Sequence, residues 1–463
     1  MPLESEVPFA TRFGAIEHVE RPLVLLAATL FWPLSARLAT RLIECGCRVA
    51  AICPKGHYLR YIEGIDKYAS FRSLSALKSF EEAIRELQPE LIVPCDDRAV
   101  SLLHELHRKH RDLRYLMERS LGNPSGFELI DCRASLLETA RSLGIDIPAT
   151  KQISTEEDLC TWFAEGNSVA VLKRDGTWAG EGVAIVQSAQ QAKEAFRRLS
   201  RPTALMTACK RLLVNGDPLA LWSWSAQSHP SLILQEYIEG QPANSMIACW
   251  EGKVLSLVAV EVLASEGATG AAFLVRPIED ERLIRDAEVL AEKLQLTGFY
   301  GFDYVIDKST RVPYLIEVNP RCTQLGHLPL AGGRDLAALF CEKVTGRHFD
   351  TQDLSSPPRI VGLYPQATRW SAQCSLSEDV YYDVPQNQPR LLNELTLPVW
   401  PERRWIARLY HNLFPSTKPT PVEYDLRSSP EDFPAADGTW SGAPTGTVSN
   451  ETKDRHPPVC HSC

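Results

Sequence analysis

The stretch YLIEVNPRC, residues 314–322, sets a carboxylate (Glu317), an amide (Asn319) and a guanidinium (Arg321) at alternate positions. Alternate residues of a strand face the same way, so these three share one face, with Ile316 and Val318 on the other. Upstream, GFDYVIDKSTR carries Asp303 on a strand that the turn DKSTR joins to the first. The hairpin brings Asp303, Glu317 and Asn319 onto one face. Two carboxylates and an amide are hard oxygen donors, suited to Mg²⁺ held jointly with phosphate oxygens. Two unpaired carboxylates side by side repel, and a divalent cation between them removes that cost. Arg321 suits an anionic substrate group or a transferred phosphoryl. The plain alternative, a solvated acidic face on an edge hairpin, fits poorly with the apolar runs around the set.

Each of two further segments reads either as plain structure, a surface lysine before a hairpin turn and a strand end, or as a contact to phosphate and to a base. Lys173 ends the strand VAVLK, ahead of Gly176, Gly180 and Gly182, with Trp178 among them. A lysine beside a glycine-bearing loop neutralises phosphate oxygens while the loop backbone closes over them. LILQEYIEG, residues 232–240, is a strand that leaves its sheet at Gly240. Backbone N–H and C=O groups there can meet the edge of a base, or the segment is a plain strand end.

These side chains need a scaffold. PLVLLAATL, a helix with apolar positions Leu38, Leu42 and Ile43 closed by Gly46, and CRVAAICP form a β-α-β unit, which implies a parallel sheet. SFEEAIRELQ is a helix leading to a third strand, PELIVPCDD. Its terminal Asp96 and Asp97 either cap the next helix or face a cleft at the strand ends. From Asp131 the pattern changes. A helix closed by Gly144 is followed by strands and hairpins, among them a turn at Gly252, and by the amphipathic helix DERLIRDAEVLAEKLQL. That is an α+β pattern with an antiparallel sheet. Beyond residue 350 the signals weaken, and from Pro415 the chain is rich in Pro, Ser, Thr, Gly and Asp, as disordered segments are.

The bulk properties narrow the function. The 463 residues carry 49 basic and 58 acidic side chains, net −9, which argues against a broad electrostatic grip on nucleic acid or anionic lipid. The N-terminus has no apolar core after a basic start, and the early run PLVLLAATLFWPL is too short to span a bilayer. The thirteen cysteines lack framework spacing and read as reduced thiols of a cytoplasmic protein. The terminal pair Cys460 and Cys463 has no second pair near it, so it reads as part of the tail. After the first strand stands LAATLFWPLSA rather than a GxGxxG, so a nicotinamide dinucleotide site is not supported.

In this order, the pieces resemble the ATP-grasp superfamily. An acid on one strand and E-x-N-P-R on the next is that family's metal-binding signature, and GFDYVIDKSTRVPYLIEVNPR looks like it. LQEYIEG is similar to the family's adenine hinge, and DCRASLLETARSLGIDIPAT to the helix that opens its ATP-binding half. The resemblance covers roughly residues 22–345. It implies an α/β and α+β chain with a Rossmann-like N-terminal domain, then an ATP-grasp fold of two α+β subdomains clasping ATP, then a disordered C-terminal tail. The expected divisions are an N-terminal extension (1–21), a Rossmann-like domain (22–130), the ATP-grasp domain (131–345), a packing segment (346–414) and the tail (415–463).

The resemblance also implies roles. Asp303, Glu317 and Asn319 hold Mg²⁺, or Mn²⁺ in its place, on the phosphates of ATP. Lys173 meets the α- and β-phosphates, with Gly180 and Gly182 in the covering loop. Gln235, Glu236, Tyr237 and Ile238 frame adenine, and Glu239 lies toward the ribose. Arg321 meets the γ-phosphate, an acyl phosphate or a substrate carboxylate. The implied activity is an ADP-forming ligase that activates a carboxylate as an acyl phosphate and joins it to an amine, such as an amino acid. The partners are small molecules, with no nucleic acid or membrane and with a homodimer as the assembly. The alternatives are phosphoryl transfer without ligation and nucleotide binding without catalysis. Some positions depart from the family pattern. The opening helix usually begins Asp-Lys, whose lysine meets the ATP phosphates; here Asp131 and Cys132 precede Arg133, which keeps the charge and takes that role with a different geometry. Dipeptide ligases of the peptidoglycan type carry an arginine where Gly301 stands. His327 lies where it would touch a substrate or pack.

Overall fold

The computed structural model describes residues 21–166, 168–174, 182–201, 210, 231–267, 270–328, 335–348, 359–370, 380–413 and 422–424. The N-terminal part holds β1 (Leu23–Ala27), α1 (Leu34–Glu44), β2 (Arg48–Cys53), β3 (Ile65–Ser70), α2 (Ala76–Leu87), β4 (Leu91–Pro94), α3 (Asp97–Lys109) and α4 (Arg114–Leu121). Its strands pair in parallel in the order β3-β2-β1-β4. Alternation along β1 sends Val24 and Leu26 to one face and Leu23 and Leu25 to the other. The second face packs on Phe80, Ile84 and Leu103. The first packs on Leu38 and Leu42 of α1. Apolar strands without a polar face are what a sheet covered on both sides requires.

The middle of the chain contributes α5 (Arg133–Ser142), β5 (Thr150–Ile153), α6 (Glu156–Ala164), β6 (Ala170–Arg174), β7 (Val183–Val186), α7 (Ala189–Leu199) and β8 (Leu232–Glu236). Strands β5-β8-β6-β7 make a small antiparallel sheet. Leu172 and Leu234 of this sheet are buried against Leu159, Trp162 and Ala195 of α6 and α7.

A larger sheet follows, built from β9 (Gly240–Trp250), β10 (Lys253–Ser265), β11 (Ala272–Ile278), β12 (Gly298–Asp307), β13 (Pro313–Asn319), β14 (Ile360–Gly362) and β15 (Val380–Tyr382). Helix α8 (Glu281–Leu294) lies between β11 and β12, and α9 (Leu336–Thr345) follows β13. The strand order is β13-β12-β9-β10-β11-β14-β15. Glu251 and Gly252 both take positive φ in the β9–β10 turn, as tight hairpins need. One face of this sheet packs on α5 and α8 through Phe302, Tyr304 and Leu315. The other face shares a continuous core with the N-terminal sheet, with Met246, Val260 and Phe299 in one cluster with Leu26 and Leu38. Two short helices, α10 (Pro389–Leu395) and α11 (Trp405–Leu413), come after β15. Within the span expected to be disordered, Val422–Glu423 pair with Ala264 and Ser265 of β10. The rest of that span lies outside the described residues.

The seam between the N-terminal sheet and β12 is tight. Asn123 N–H donates to Gln295 O at 3.1 Å, and the Tyr300 hydroxyl donates to Leu121 O at 2.8 Å. Gly122 sits between them at φ +98°, and a Cβ there would lie 2.2 Å from Gln295 O. Both the backbone angle and the space demand glycine. Gly122→Ala is expected to lower stability by roughly 2–4 kcal/mol, read as a shift of the urea midpoint. An unchanged midpoint would show that the seam is looser than described.

Candidate active site

The hairpin β12–β13 builds the site. Asp303 pairs directly with Glu317, and on its other side Asp303 pairs with Asn244 of β9. The register shifts between Asp303 and Tyr304, because Tyr304 pairs with Leu315 and Ile316 is the extra residue. This β-bulge has a definite consequence. In an unbroken strand Leu315 and Glu317 would point the same way. The extra residue lets Leu315 enter the core beside Tyr304 while Glu317 turns to the opposite face beside Asp303.

Several elements converge on that face. Asp303 accepts from the side-chain amide of Asn244 at 2.6 Å and of Asn319 at 3.0 Å. Arg133, at the start of α5, is bonded to Glu317. Lys173, in β6, is almost fully buried and donates to the carbonyl of Ile316 at 3.3 Å, so the bulge residue also anchors the lysine. Arg321 donates from Nη2 to Asn319 Oδ1 at 3.3 Å and from Nε to Asp97 Oδ1 at 3.0 Å. The two N-terminal acids have separate duties. Asp96 is the α3 cap, accepting from Ala99 N–H at 2.9 Å and from Thr29 N–H at 2.6 Å. Asp97 reaches across to Arg321.

Electrostatics follow from burial and neighbours. Burial, helped by the negative charge of Glu317, pushes the Asp303 carboxyl up to about 6. Burial also acts upward on Glu317, but Arg133 and Lys173 outweigh it and hold that carboxyl below its ordinary value. Burial drives the Lys173 ammonium down to about 8, despite the attraction of Glu317. For Arg321, burial is outweighed by Asp97, and the guanidinium is held more firmly charged. The donor set suits a hard divalent cation. Two adjacent carboxylates with a nearby amide offer oxygen, and the strained charge on Asp303 is what such an ion would relieve. Among the described residues, no group of three or more His, Cys, Asp or Glu gathers as a metal site, and at the hairpin the two carboxylates are accompanied by the amide of Asn319.

The hinge segment is ordered along β8. Gln235 is buried and donates from Nε2 to Thr150 Oγ1 at 3.3 Å. Glu236 N–H donates to Ala149 O at 2.8 Å, and Tyr237 N–H to Val169 O at 3.3 Å. Among the described residues the Ile238 N–H has no backbone partner. The Glu239 carboxylate takes the Lys308 ammonium at 2.9 Å. Gly182 accepts from Arg174 N–H at the base of the β6–β7 connection. Gly176, Trp178 and Gly180 lie outside the described residues. His327 is bound at 2.7 Å to Asp383 in a buried pair that Arg37 joins, which is a packing role. A groove of about 510 Å³ opens between α5 and β5. None of the site acids or cations lines it.

Sequence reading singled out Asp303, Glu317, Asn319, Arg321, Lys173 and Arg133, and the structure brings these six together. It gave Asn244 no role beside Asp303 and did not find the Asp97–Arg321 bridge. Asn244 shares a face with Gly240 and Pro242 along β9, and that alternation was the only local signal. At Gly301, a Cβ would lie 2.4 Å from Thr323 Cγ2, so the space an arginine would need is filled.

The lysine gives a pH test. Its folded pKa is below the unfolded value, so charging it opposes folding. That cost is absent above the unfolded value of 10.5, grows as pH falls from there towards 8, and is fully present below about 8. Lys173→Met is expected to raise the melting temperature at pH 7, with the gain shrinking toward pH 10.5. A gain that grows with pH would contradict the burial of a charged lysine here.

An ATP-grasp domain family matches residues 136–324. The chain is also similar to several solved structures, at identities that speak to fold alone. The biotin carboxylase domain of the 2-oxoglutarate carboxylase from Hydrogenobacter thermophilus, in complex with MgADP, ADP and bicarbonate, has a TM-score of 0.52 and 14% identity, covering 73% of each chain. The N5-carboxyaminoimidazole synthetase from Staphylococcus aureus, complexed with ADP, has a TM-score of 0.51 and 14% identity over 72% of this chain and 80% of that one. The L-amino acid ligase from Bacillus licheniformis has a TM-score of 0.50 and 13% identity over 74% and 79%. No curated protein matches the sequence. The domain match lies over β5–β13 and takes in the acids of the hairpin, so residues 136–324 carry an ATP-grasp domain.

Proposed function

We propose that this protein is an ATP-dependent, ADP-forming ligase that activates a carboxylate as an acyl phosphate and joins it to an amine, such as an amino acid. The observation that carries the reading is the cross-strand pair Asp303–Glu317, ringed by Arg133, Lys173 and Arg321. A half-buried like-charge pair with three cations around it has little purpose as packing. It has one as a seat for a cation and a polyphosphate. Residues 22–130 would serve as the Rossmann-like part and residues 131–345 as the ATP-clasping part.

Asp303, Glu317 and Asn319 would hold Mg²⁺, for which Mn²⁺ would substitute. The ion would neutralise charge on the phosphate oxygens. Lys173 and Arg133 would grip the phosphate chain, under a loop containing Gly180 and Gly182. Gln235, Glu236, Tyr237 and Ile238 would frame the base, with the Ile238 N–H as a donor to it, and Glu239 would lie toward the ribose. In the first step, a substrate carboxylate oxygen attacks the γ-phosphorus, the bond to the bridging oxygen breaks and ADP leaves. Arg321, kept charged and oriented by Asp97, would hold the phosphoryl oxygens through that transfer. In the second step, an amine nitrogen attacks the acyl carbon, phosphate leaves and the amine loses a proton. That three ATP-grasp structures of the same fold carry the names carboxylase, synthetase and amino acid ligase is in keeping with this class of chemistry.

The test is ADP release from Mg-ATP in the presence of pooled carboxylates, with hydroxylamine as the trapping amine. ADP that depends on a carboxylate, together with a hydroxamate, is expected. ADP without hydroxamate would indicate phosphoryl transfer without ligation. ATP binding without ADP in any pool would indicate a nucleotide-binding protein. Glu317→Gln is expected to cut carboxylate-dependent ADP release at least 100-fold while the melting temperature stays near wild type. Normal turnover in that variant would remove Glu317 from the cation site.

A further inference from the structure

Three cysteines meet where the N-terminal sheet joins α9. Cys47, just before β2, has its sulfur 2.9 Å from that of Cys341 in α9, across 294 positions of sequence. Cys45, which caps α1, neighbours the same Cys341 thiol. All three are buried, with exposures of 2%, 3% and 0% for Cys45, Cys47 and Cys341. The contact is fixed independently from the other end of α9. Arg41, one turn before Cys45, donates from Nε to Asp335 Oδ2 at 2.7 Å, and Asp335 caps α9 by accepting from Ala338 N–H at 2.9 Å. The ion pair sets the helix against α1, and the two sulfurs face each other within that fixed frame.

We propose that Cys47 and Cys341 are a covalent modification site, at which a peroxide oxidises the pair to a disulfide that ties the N-terminal sheet to α9. One thiolate attacks a peroxide oxygen. The O–O bond breaks, hydroxide leaves, and that sulfur becomes a sulfenic acid. The partner thiol attacks the sulfenic sulfur, its S–O bond breaks, and water leaves. The hydroxide takes up the proton of the first thiol. In all, two electrons pass from the two sulfurs to the peroxide, and two waters form. A partner thiol already in contact captures the sulfenic acid before a second peroxide reaches it, so over-oxidation is disfavoured. Hydrogen bonds to Cys45 and Cys47, with burial, hold the Cys341 thiol protonated, so the reaction is slow at neutral pH and quickens as pH rises. The site uses none of the residues assigned to ATP or Mg²⁺, so it stands or falls apart from the proposed ligase activity.

The experiment treats the folded full-length chain with hydrogen peroxide at pH 7 and pH 9, blocks remaining thiols with N-ethylmaleimide and maps the peptides by mass spectrometry. The expected result is a peptide pair joining Cys47 to Cys341, lighter by two hydrogens and separated by dithiothreitol. It should form faster at pH 9, persist in Cys45→Ser and vanish in Cys341→Ser. Should Cys341→Ser not fold, Cys47→Ala serves in its place. The oxidised wild type should melt at a higher temperature than the reduced protein, as a link made across native packing requires. Three results would overturn the proposal: full alkylation of both thiols after peroxide, sulfinic acid at either one, or links that join only other cysteines.

Discussion

The organising constraint of this molecule is a pair of like charges. Asp303 and Glu317 stand directly opposite each other on neighbouring strands, where like charges repel and destabilise a sheet. They are also drawn out of bulk water, which sharpens the repulsion. The chain answers with groups from five places: Arg133 from the start of α5, Lys173 from β6, Asn244 from β9, Asn319 from β13 and Arg321 just beyond it. Glu317 is faced by Arg133 and Lys173, and Asp303 accepts from both Asn244 and Asn319. The division of labour is uneven. Glu317 receives the cations and stays ionised, whereas Asp303 receives amides and is pushed toward neutrality. A site in this state is poised for an added positive ion.

Packing makes that arrangement possible. The bulge at Ile316 lets one strand serve two masters, with Leu315 in the core and Glu317 on the site face. The same residue offers its carbonyl to Lys173, so the irregularity positions the acid and the lysine together. Behind the hairpin, Phe302 and Tyr304 bury against α5 and α8, which fixes the strand that carries Asp303. The N-terminal sheet is joined to this framework by a common core, and its contribution to the site is Asp97, at the carboxyl end of β4 where open α/β sheets present their functional groups. Arg321 is thereby held between two sheets.

Much of this was legible in the sequence because it is local. The β12–β13 hairpin declares itself by alternation and by the turn DKSTR, the β9–β10 turn by Gly252, and β1, α1 and β2 by apolar runs closed at Gly46. Glu317, Asn319 and Arg321 stand so close together that their convergence needs no long-range information. What was not legible is register. A strict period of two would place Leu315 and Glu317 on one face, and nothing in YLIEVNPR marks Ile316 as the extra residue. Asn244 becomes a partner of Asp303 only through the pairing of β9 with β12. Asp97 meets Arg321, and Cys47 meets Cys341, only because two sheets share a core. Residues 359–370 and 380–413 lack strong periodicity, and β14 and β15 find their place only by pairing at the edge of the large sheet.

The central claim is that the Asp303–Glu317 pair is a cation seat on a nucleotide polyphosphate. The most direct measurement is a crystal of the protein grown with ADP and Mn²⁺, with data collected for the anomalous signal of manganese. The account expects a peak about 2.1–2.2 Å from carboxylate oxygens of both Asp303 and Glu317, bridging to the diphosphate. A manganese peak held by other residues, or a diphosphate seated away from this hairpin, would contradict it.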